Sequence, residues 1–167
     1  MMDVWTDILM NAFWCGCGAT GFAVLFNTPP RALLAVFFAG CIAGALKFYI
    51  IHPGTGGGII FASLVGATAT GFISVSFSHW RHVPPIIISI PSVIPMVPGS
   101  FAYRTILGLI RFIHETNAEI LTNTVYNASM TLFIVLVLAL GVSLPTLLFR
   151  LDTTKHLKIL TPEKKHL

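Results

Sequence analysis

Apolar residues along this chain fall into four uninterrupted runs and a fifth that is broken by prolines. The uninterrupted runs cover residues 8–26, 33–51, 59–77 and 125–149. As an α-helix the first run is about 28 Å long, close to the roughly 30 Å hydrocarbon core of a bilayer. Polar or proline- and glycine-rich segments separate the runs. The pattern predicts an all-α, polytopic membrane protein.

The fourth element, residues 84–113, is apolar but cannot be one regular helix. It carries a helix-break motif formed by Pro91, Pro95, Pro98 and Gly99. Each proline removes an amide donor and obstructs the helix. Broken backbone at membrane depth is stable only when it is buried in protein or lines a wet cavity. We therefore predict a proline-broken fourth helix that lines a substrate path.

Helix is expected to resume after the break, with the Ser100 hydroxyl free to cap it. The amides of Ser100 and Phe101 would then lie at the positive end of the resumed helix, facing the break. Free amides at such an end bind anions. This predicts a site for a carboxylate.

Composition supports the membrane assignment. Hydrophobic residues make up 55% of the 167 residues and charged ones only 10%, against about 25% in soluble proteins. The length suits one transmembrane domain, residues 1–150, followed by a basic tail, residues 151–167. The first run has no basic residue before it, so we interpret it as a retained crossing. Basic residues are scattered ahead of the tail, which disfavours a nucleic-acid partner.

Charge also predicts an orientation, because short cytoplasmic loops collect Lys and Arg. Five crossings with a cytoplasmic C-terminus place seven basic residues inside: Arg31, Arg81, Arg150, Lys155, Lys158, Lys164 and Lys165. Three lie toward the outside: Lys47, Arg104 and Arg111. A re-entrant fourth element could not bring the tail and both arginine loops to one side. We predict an N-out, C-in topology, with Lys47 snorkelling outward to the interface.

Small residues recur at helix-packing spacing. The pairs are Gly40 with Gly44, Cys17 with Gly21, Ala62 with Gly66 and Ala67 with Gly71. In lipid, close backbone approach supplies much of the contact energy between helices. The pairs predict a tight bundle, a helical partner, or both.

Two polar stripes follow the break. The first contains Arg104, Gly108, Arg111 and Glu115, and the second contains Glu119, Asn123 and Asn127. Intervals of three and four place each stripe on one helix face. Polar groups within a span usually face protein or water. Two interpretations stay open for the first stripe: Arg111 pairs with Glu115 while Arg104 snorkels, or Arg104 helps to hold a carboxylate. The second stripe either lines a cavity or is ordinary polarity at the membrane interface.

Motifs for an enzyme or a cofactor are weak. The glycine-rich loop at residues 53–58 lacks the Gly-Lys-Ser/Thr ending of a phosphate loop. Ser100 lacks the surroundings of a nucleophilic serine, so an intramembrane hydrolase is disfavoured. No metal site or cofactor is expected.

Two segments resemble a known family. Residues 21–33 (GFAVLFNTPPRAL) and 93–99 (VIPMVPG) are similar to those of the threonine/serine exporter family, and above all to the half-length small subunit of its split, two-component members. The resemblance covers about residues 8–149. It implies a multi-pass exporter of the bacterial inner membrane for small carboxylates: threonine and serine in fused members, succinate in split ones. It also implies a larger partner subunit that resembles the N-terminal half of the fused protein.

The hypothesis is therefore a secondary exporter subunit, not an enzyme, working by proton-driven alternating access. The predicted substrate-binding residues are Pro98, Gly99, Ser100, Phe101, Arg104, Asn123 and Asn127. The predicted proton-coupling residues are Glu115 and Glu119. Partners are the larger subunit, a small carboxylate, the bilayer and, as an option, further copies of the chain. The alternative is a non-transporting assembly subunit.

Overall fold

The computed structural model describes residues 2–52, 56–81, 83–115 and 117–159, and every regular element among them is helical. The helices are α1 (Met2–Leu25), α2 (Pro30–Ile51), α3 (Ile59–Arg81), α4 (Pro85–Val93), a 3₁₀ turn (Ile94–Met96), α5 (Gly99–His114) and α6 (Ala118–Ile159). The all-α prediction is confirmed. Helix α6 includes the first part of the predicted tail, while residues 160–167 lie outside the described residues.

Four helices in the described part of the chain are long and apolar enough to cross a membrane: Val4–Leu25, Pro30–Ile51, Ile59–Ser78 and Ala118–Leu148. The segments Pro85–Met96 and Gly99–His114 pass the same test together, with a bend of 57° between them. Counting this bent pair as one span gives five. This agrees with the prediction of about five spans and a proline-broken fourth helix.

Helices α1 and α2 form an antiparallel hairpin and approach each other closely where small residues face one another. A Cβ atom added to Gly40 would lie 2.7 Å from the Cβ of Ala19, and one added to Gly44 would lie 2.7 Å from the Cβ of Cys15. The turn between the helices depends on Asn27, which has a φ of 56°. The Thr28 amide donates to the Ala23 carbonyl at 2.9 Å, which closes the end of α1.

Helix α4 lies at the centre of the bundle, in contact with α1, α2 and α3. Its buried residues are Ile88, Ser89, Pro91, Ser92 and Val93. Pro91 lies inside this helix, so its assignment to the helix-break motif is wrong. The Ser92 hydroxyl donates to the Ile88 carbonyl at 2.7 Å, a bond made within the helix. The break instead begins at Pro95, in the 3₁₀ turn.

Helices α3 and α6 pack side by side and run in the same direction. Gly71 lies against Pro145, and Gly141 lies against Ala67. This register brings residue 133 of α6 level with Ile59, where α3 begins. The first part of α6, residues 118–132, therefore extends past the start of α3.

Helix α5 packs on this extension in the opposite direction, with Gly108 against Thr124. None of its residues is buried. We call α5 and residues 118–132 together the arm. The last apolar run was predicted to begin at residue 125, but α6 begins seven residues earlier, at Ala118. The reason is Asn117, whose side-chain oxygen accepts the Glu119 amide at 2.9 Å and caps the helix.

Candidate functional site

The break between α4 and α5 exposes backbone groups. Val97 is extended, with φ −59° and ψ 134°, and Pro98 follows with φ −80° and ψ 65°. Helical bonding resumes only at Ala102, whose amide donates to the Pro98 carbonyl at 3.2 Å. The amides of Ser100 and Phe101 make no such bond, as expected in the first turn of a helix.

Ser100 does not cap α5, which corrects the sequence prediction. The helix begins one residue earlier, at Gly99, and its N-cap residue is Pro98, with no side-chain hydrogen bond. Ser100 lies within the first turn and is exposed. Its hydroxyl therefore sits after the position from which a cap reaches the first amides.

Lys47 also departs from the prediction. Its ammonium does not snorkel to the interface but donates to the carbonyl oxygen of Met96, with the two atoms 2.9 Å apart. The break removes the helical partner of this carbonyl, and an unpaired carbonyl in an apolar environment is costly. A lysine on the neighbouring helix satisfies it and gains an acceptor in return.

A groove between α5 and α6 brings the two polar stripes together. Its volume is about 710 Å³. The lining residues are Tyr103, Arg104, Leu107, Gly108, Ile110, Arg111, His114, Glu115, Ile120, Asn123, Thr124 and Asn127. The arginines and Glu115 come from α5, and the asparagines from α6. The groove lies on the arm, beyond the start of α3, and not in the bundle core.

The two guanidinium groups in the groove have no partner within the part of the chain that the structure describes. Among the described residues, no hydrogen bond or ion pair engages the side chain of Arg104 or Arg111. The alternative pairing of Arg111 with Glu115 is therefore not observed. The Asn127 side-chain amide donates to the backbone carbonyl of Asn123 at 2.7 Å. No hydrogen bond among the described residues engages the side-chain amide of Asn123. An anion in the groove would meet two cations and an amide.

The predicted site is divided between two places on α5. Pro98, Gly99, Ser100 and Phe101 lie at the break and do not line the groove. Glu119 is exposed outside the groove, whereas Glu115 is part of the lining. Arg104 is one helical turn from Ser100, and helical side chains point toward the N-terminus. Arg104 is thus the residue that connects the break with the groove.

Three residues of this region were missed by the sequence prediction. Tyr103 and His114 line the groove with the arginines, and their spacing from Arg111, eight residues before it and three after it, was a usable signal. Lys47 was misjudged because its distance from the helix end suggested snorkelling. Its signal was a cation inside an apolar run. Across the described residues, no group of three His, Cys, Asp or Glu side chains could hold a metal ion.

Comparison with known proteins adds the decisive observation. The family model of the threonine/serine exporter, ThrE, matches residues 11–148, which is most of the chain. The chain belongs to the threonine/serine exporter family. Membership in this family, with the four to five candidate spans, makes it a multi-pass membrane protein of an exporter family.

An uncharacterized protein of Haemophilus influenzae (strain ATCC 51907 / DSM 11121 / KW20 / Rd) is 27% identical over 143 residues. That match covers 85% of this exporter-family chain and 48% of the relative, so the chain spans about half the length of the curated relative it matches. No solved structure matches the chain.

Proposed function

We propose that the chain is the small subunit of a secondary exporter for small carboxylates, with threonine, serine or succinate as the substrate. The observation that carries this proposal is the pair of unpartnered arginines facing Asn123 across the groove. A carboxylate accepts hydrogen bonds from guanidinium and amide groups, and charge-assisted bonds are the stronger class. The family supplies the direction of transport.

The groove also offers a reason for a larger partner subunit. It is open on the arm, and charged side chains exposed to lipid are costly. A relative of twice the length supports a second half that covers the groove. Substrate would then bind between the two halves, as in transporters built from repeats, and rocking of one half against the other would give alternating access. We place this complex in the bacterial inner membrane, with the N-terminus outside and the C-terminus inside.

Glu115 is the better candidate for proton coupling. It lines the groove with Arg111, whereas Glu119 lies on the outer surface of the arm. A carboxylate beside the binding site repels an anionic substrate, and protonation removes this repulsion. Proton binding and substrate binding are thereby coupled. In export driven by a proton gradient, Glu115→Gln lowers transport, and Glu119→Gln is the matched control that leaves it near wild type.

Efflux of labelled threonine and labelled succinate from vesicles tests the function. Vesicles carry the chain with and without the larger subunit, and the chain carries either Arg104→Gln or Arg31→Gln. Arg31 is the matched control because it is an exposed arginine at the start of α2 and does not line the groove. Losing a charge-assisted bond of about 1.5–3 kcal/mol lowers efflux roughly tenfold or more in Arg104→Gln. Arg31→Gln keeps wild-type efflux.

The same experiment separates the alternative of a non-transporting assembly subunit. Co-purification of the two subunits is measured beside efflux for each variant. Loss of efflux with intact assembly supports a transport role for the groove. Loss that occurs only when assembly fails supports the structural role instead.

A further inference from the structure

Lys47 reaches across the bundle to the broken helix. It lies on α2, four residues before the helix ends, and its ammonium donates to the Met96 carbonyl at 2.9 Å. Met96 is 1% exposed and belongs to a buried cluster with Ala43 and Ile134. The bond therefore joins α2 to the last residue of the 3₁₀ turn, at the level where the arm departs from the bundle.

The Met96 carbonyl has a second natural donor. In a continuous α-helix the amide of residue 100 donates to the carbonyl of residue 96. Neither Met96 nor Ser100 is a proline, so this bond is chemically available. In the bent chain the Ser100 amide makes no backbone bond, and the Val97 amide donates to Ile94 at 3.0 Å. The bend thus takes the Ser100 amide away from the Met96 carbonyl, and the Lys47 ammonium donates to this carbonyl instead.

We propose that Lys47 is a positioning residue that fixes the bend between α4 and α5 by holding the Met96 carbonyl in place of the Ser100 amide. While the ammonium occupies this carbonyl, the Met96 acceptor is satisfied in the bent chain. Without the ammonium, the bend relaxes toward the shallower kink of a proline-containing helix, in which the Ser100 amide satisfies Met96 although Pro98 still offers no amide of its own. The size of the bend therefore depends on which group donates to the Met96 carbonyl, the Lys47 ammonium or the Ser100 amide.

The consequence for transport rests on the proposed function. Helix α5 carries Arg104 and Arg111, so the bend sets the direction in which the groove faces. Lys47 touches neither the groove nor a substrate there. It acts through the backbone of Met96, and its contribution can be measured without any substrate.

Distance measurement between two spin labels tests the bend. Labels are placed at Ile86 and Ile113, which are 58% and 79% exposed, after Cys15, Cys17 and Cys41 are replaced by alanine. At 1.5 Å per residue, removing the whole 57° bend would lengthen this distance by about 5 Å, which is the upper limit because Pro98 keeps a kink in the helix. The full chain is measured in lipid nanodiscs without substrate.

Three variants separate the two donors. Lys47→Met keeps the length of the side chain but cannot donate, so the longer distance is expected. Lys47→Arg keeps a donor and retains the wild-type distance. The double variant Lys47→Met with Ser100→Pro removes both donors. It returns to the short distance because a smaller bend no longer satisfies Met96, and proline is tolerated in the first turn of a helix.

A Lys47→Met protein with the wild-type distance overturns the proposal, and so does a double variant that stays long. Should Lys47→Met fail to fold, amide hydrogen exchange of the wild-type chain tests, at single-residue resolution, the free Ser100 amide that the proposal requires. Fast exchange at Ser100 beside slow exchange at later amides of α5 supports the bend with a free amide. Slow exchange at Ser100 overturns it. Because no readout uses transport, a failed efflux test would count against the proposed function alone.

Discussion

The two halves of the broken helix differ in almost every physical respect. Helix α4 is surrounded by α1, α2 and α3, and five of its nine residues are buried. Helix α5 packs mainly on α6 and has no buried residue. One half is part of the bundle core, and the other presents a polar groove at the end of the bundle.

This difference shows what the proline-rich break accomplishes. A continuous helix would keep the direction and environment of α4 through residue 114. The bend of 57° lets the chain leave the bundle and pair with the extended start of α6. Stability and binding are thereby assigned to separate halves, because tight packing and an open polar surface cannot occupy the same helix face.

The largest contrast is expected in water access. Ser89 on α4 is fully buried, while Ser100 on α5 is exposed. In a background without the native cysteines, Ser100→Cys reacts with a water-soluble maleimide nearly to completion, because a thiol must ionise in water to react. Ser89→Cys stays unlabelled until the protein is denatured. Equal labelling of the two positions would contradict the division between a buried half and an open half.

Core truncation gives the next largest contrast. Ile88 on α4 is 0% exposed, and Ile106 on α5 is 61% exposed. Ile88→Ala leaves a cavity in the bundle and costs about 2–5 kcal/mol, toward the lower end in lipid. Ile106→Ala changes stability by no more than about 0.5 kcal/mol. The free energy of unfolding of both variants is measured by denaturant titration in detergent. Similar losses of stability would show that α5 is packed as firmly as α4.

Within the arm, Gly108 controls the contact between α5 and α6. A side chain there would overlap Thr124, whereas Gly21 on α1 has open space around it. Gly108→Leu weakens the contact by about 1–3 kcal/mol. Disulfide formation between Thr105→Cys and Ala128→Cys, two residues on opposite sides of this contact, then falls. Gly21→Leu is the control that keeps the cross-link, and an unchanged cross-link in Gly108→Leu would mean that the arm packs differently.

The smallest effect concerns the tip of the arm. Asn117 caps α6 through the Glu119 amide. Asn117→Ala removes this bond at a cost of about 1 kcal/mol. Faster hydrogen exchange in the first turn of α6, with unchanged exchange in α3, is the expected result. Unfolding of the whole bundle in this variant would contradict the independence of the arm.

Much of the fold was readable from the apolar runs. Their lengths predicted the first three spans to within a few residues at most ends, since a bilayer sets the length of an apolar helix. The proline-rich stretch predicted a break before Gly99, though Pro91 proved compatible with α4. Pro91 is the seventh of the nine residues of α4, so in this short helix it gives up only the bond that an amide at position 91 would make to the carbonyl of Ile87.

The candidate site was only partly readable. Spacing placed Arg104, Arg111 and Glu115 on one face, and Asn123 with Asn127 on another, because helix periodicity is a local property. That the two faces meet across one groove depends on how α5 packs against α6. The link from Lys47 to Met96 joins residues 49 positions apart, and no local pattern encodes it.

The sequence by itself determined that the chain is a membrane protein, where its helices lie and where one of them breaks, since these follow from hydropathy, period and proline chemistry. Only the tertiary structure decided how far the helix bends, which acceptor Lys47 finds and that the polar stripes face each other outside the bundle core. These features depend on contacts between residues distant in sequence, whose free energy is settled by the packing of whole helices.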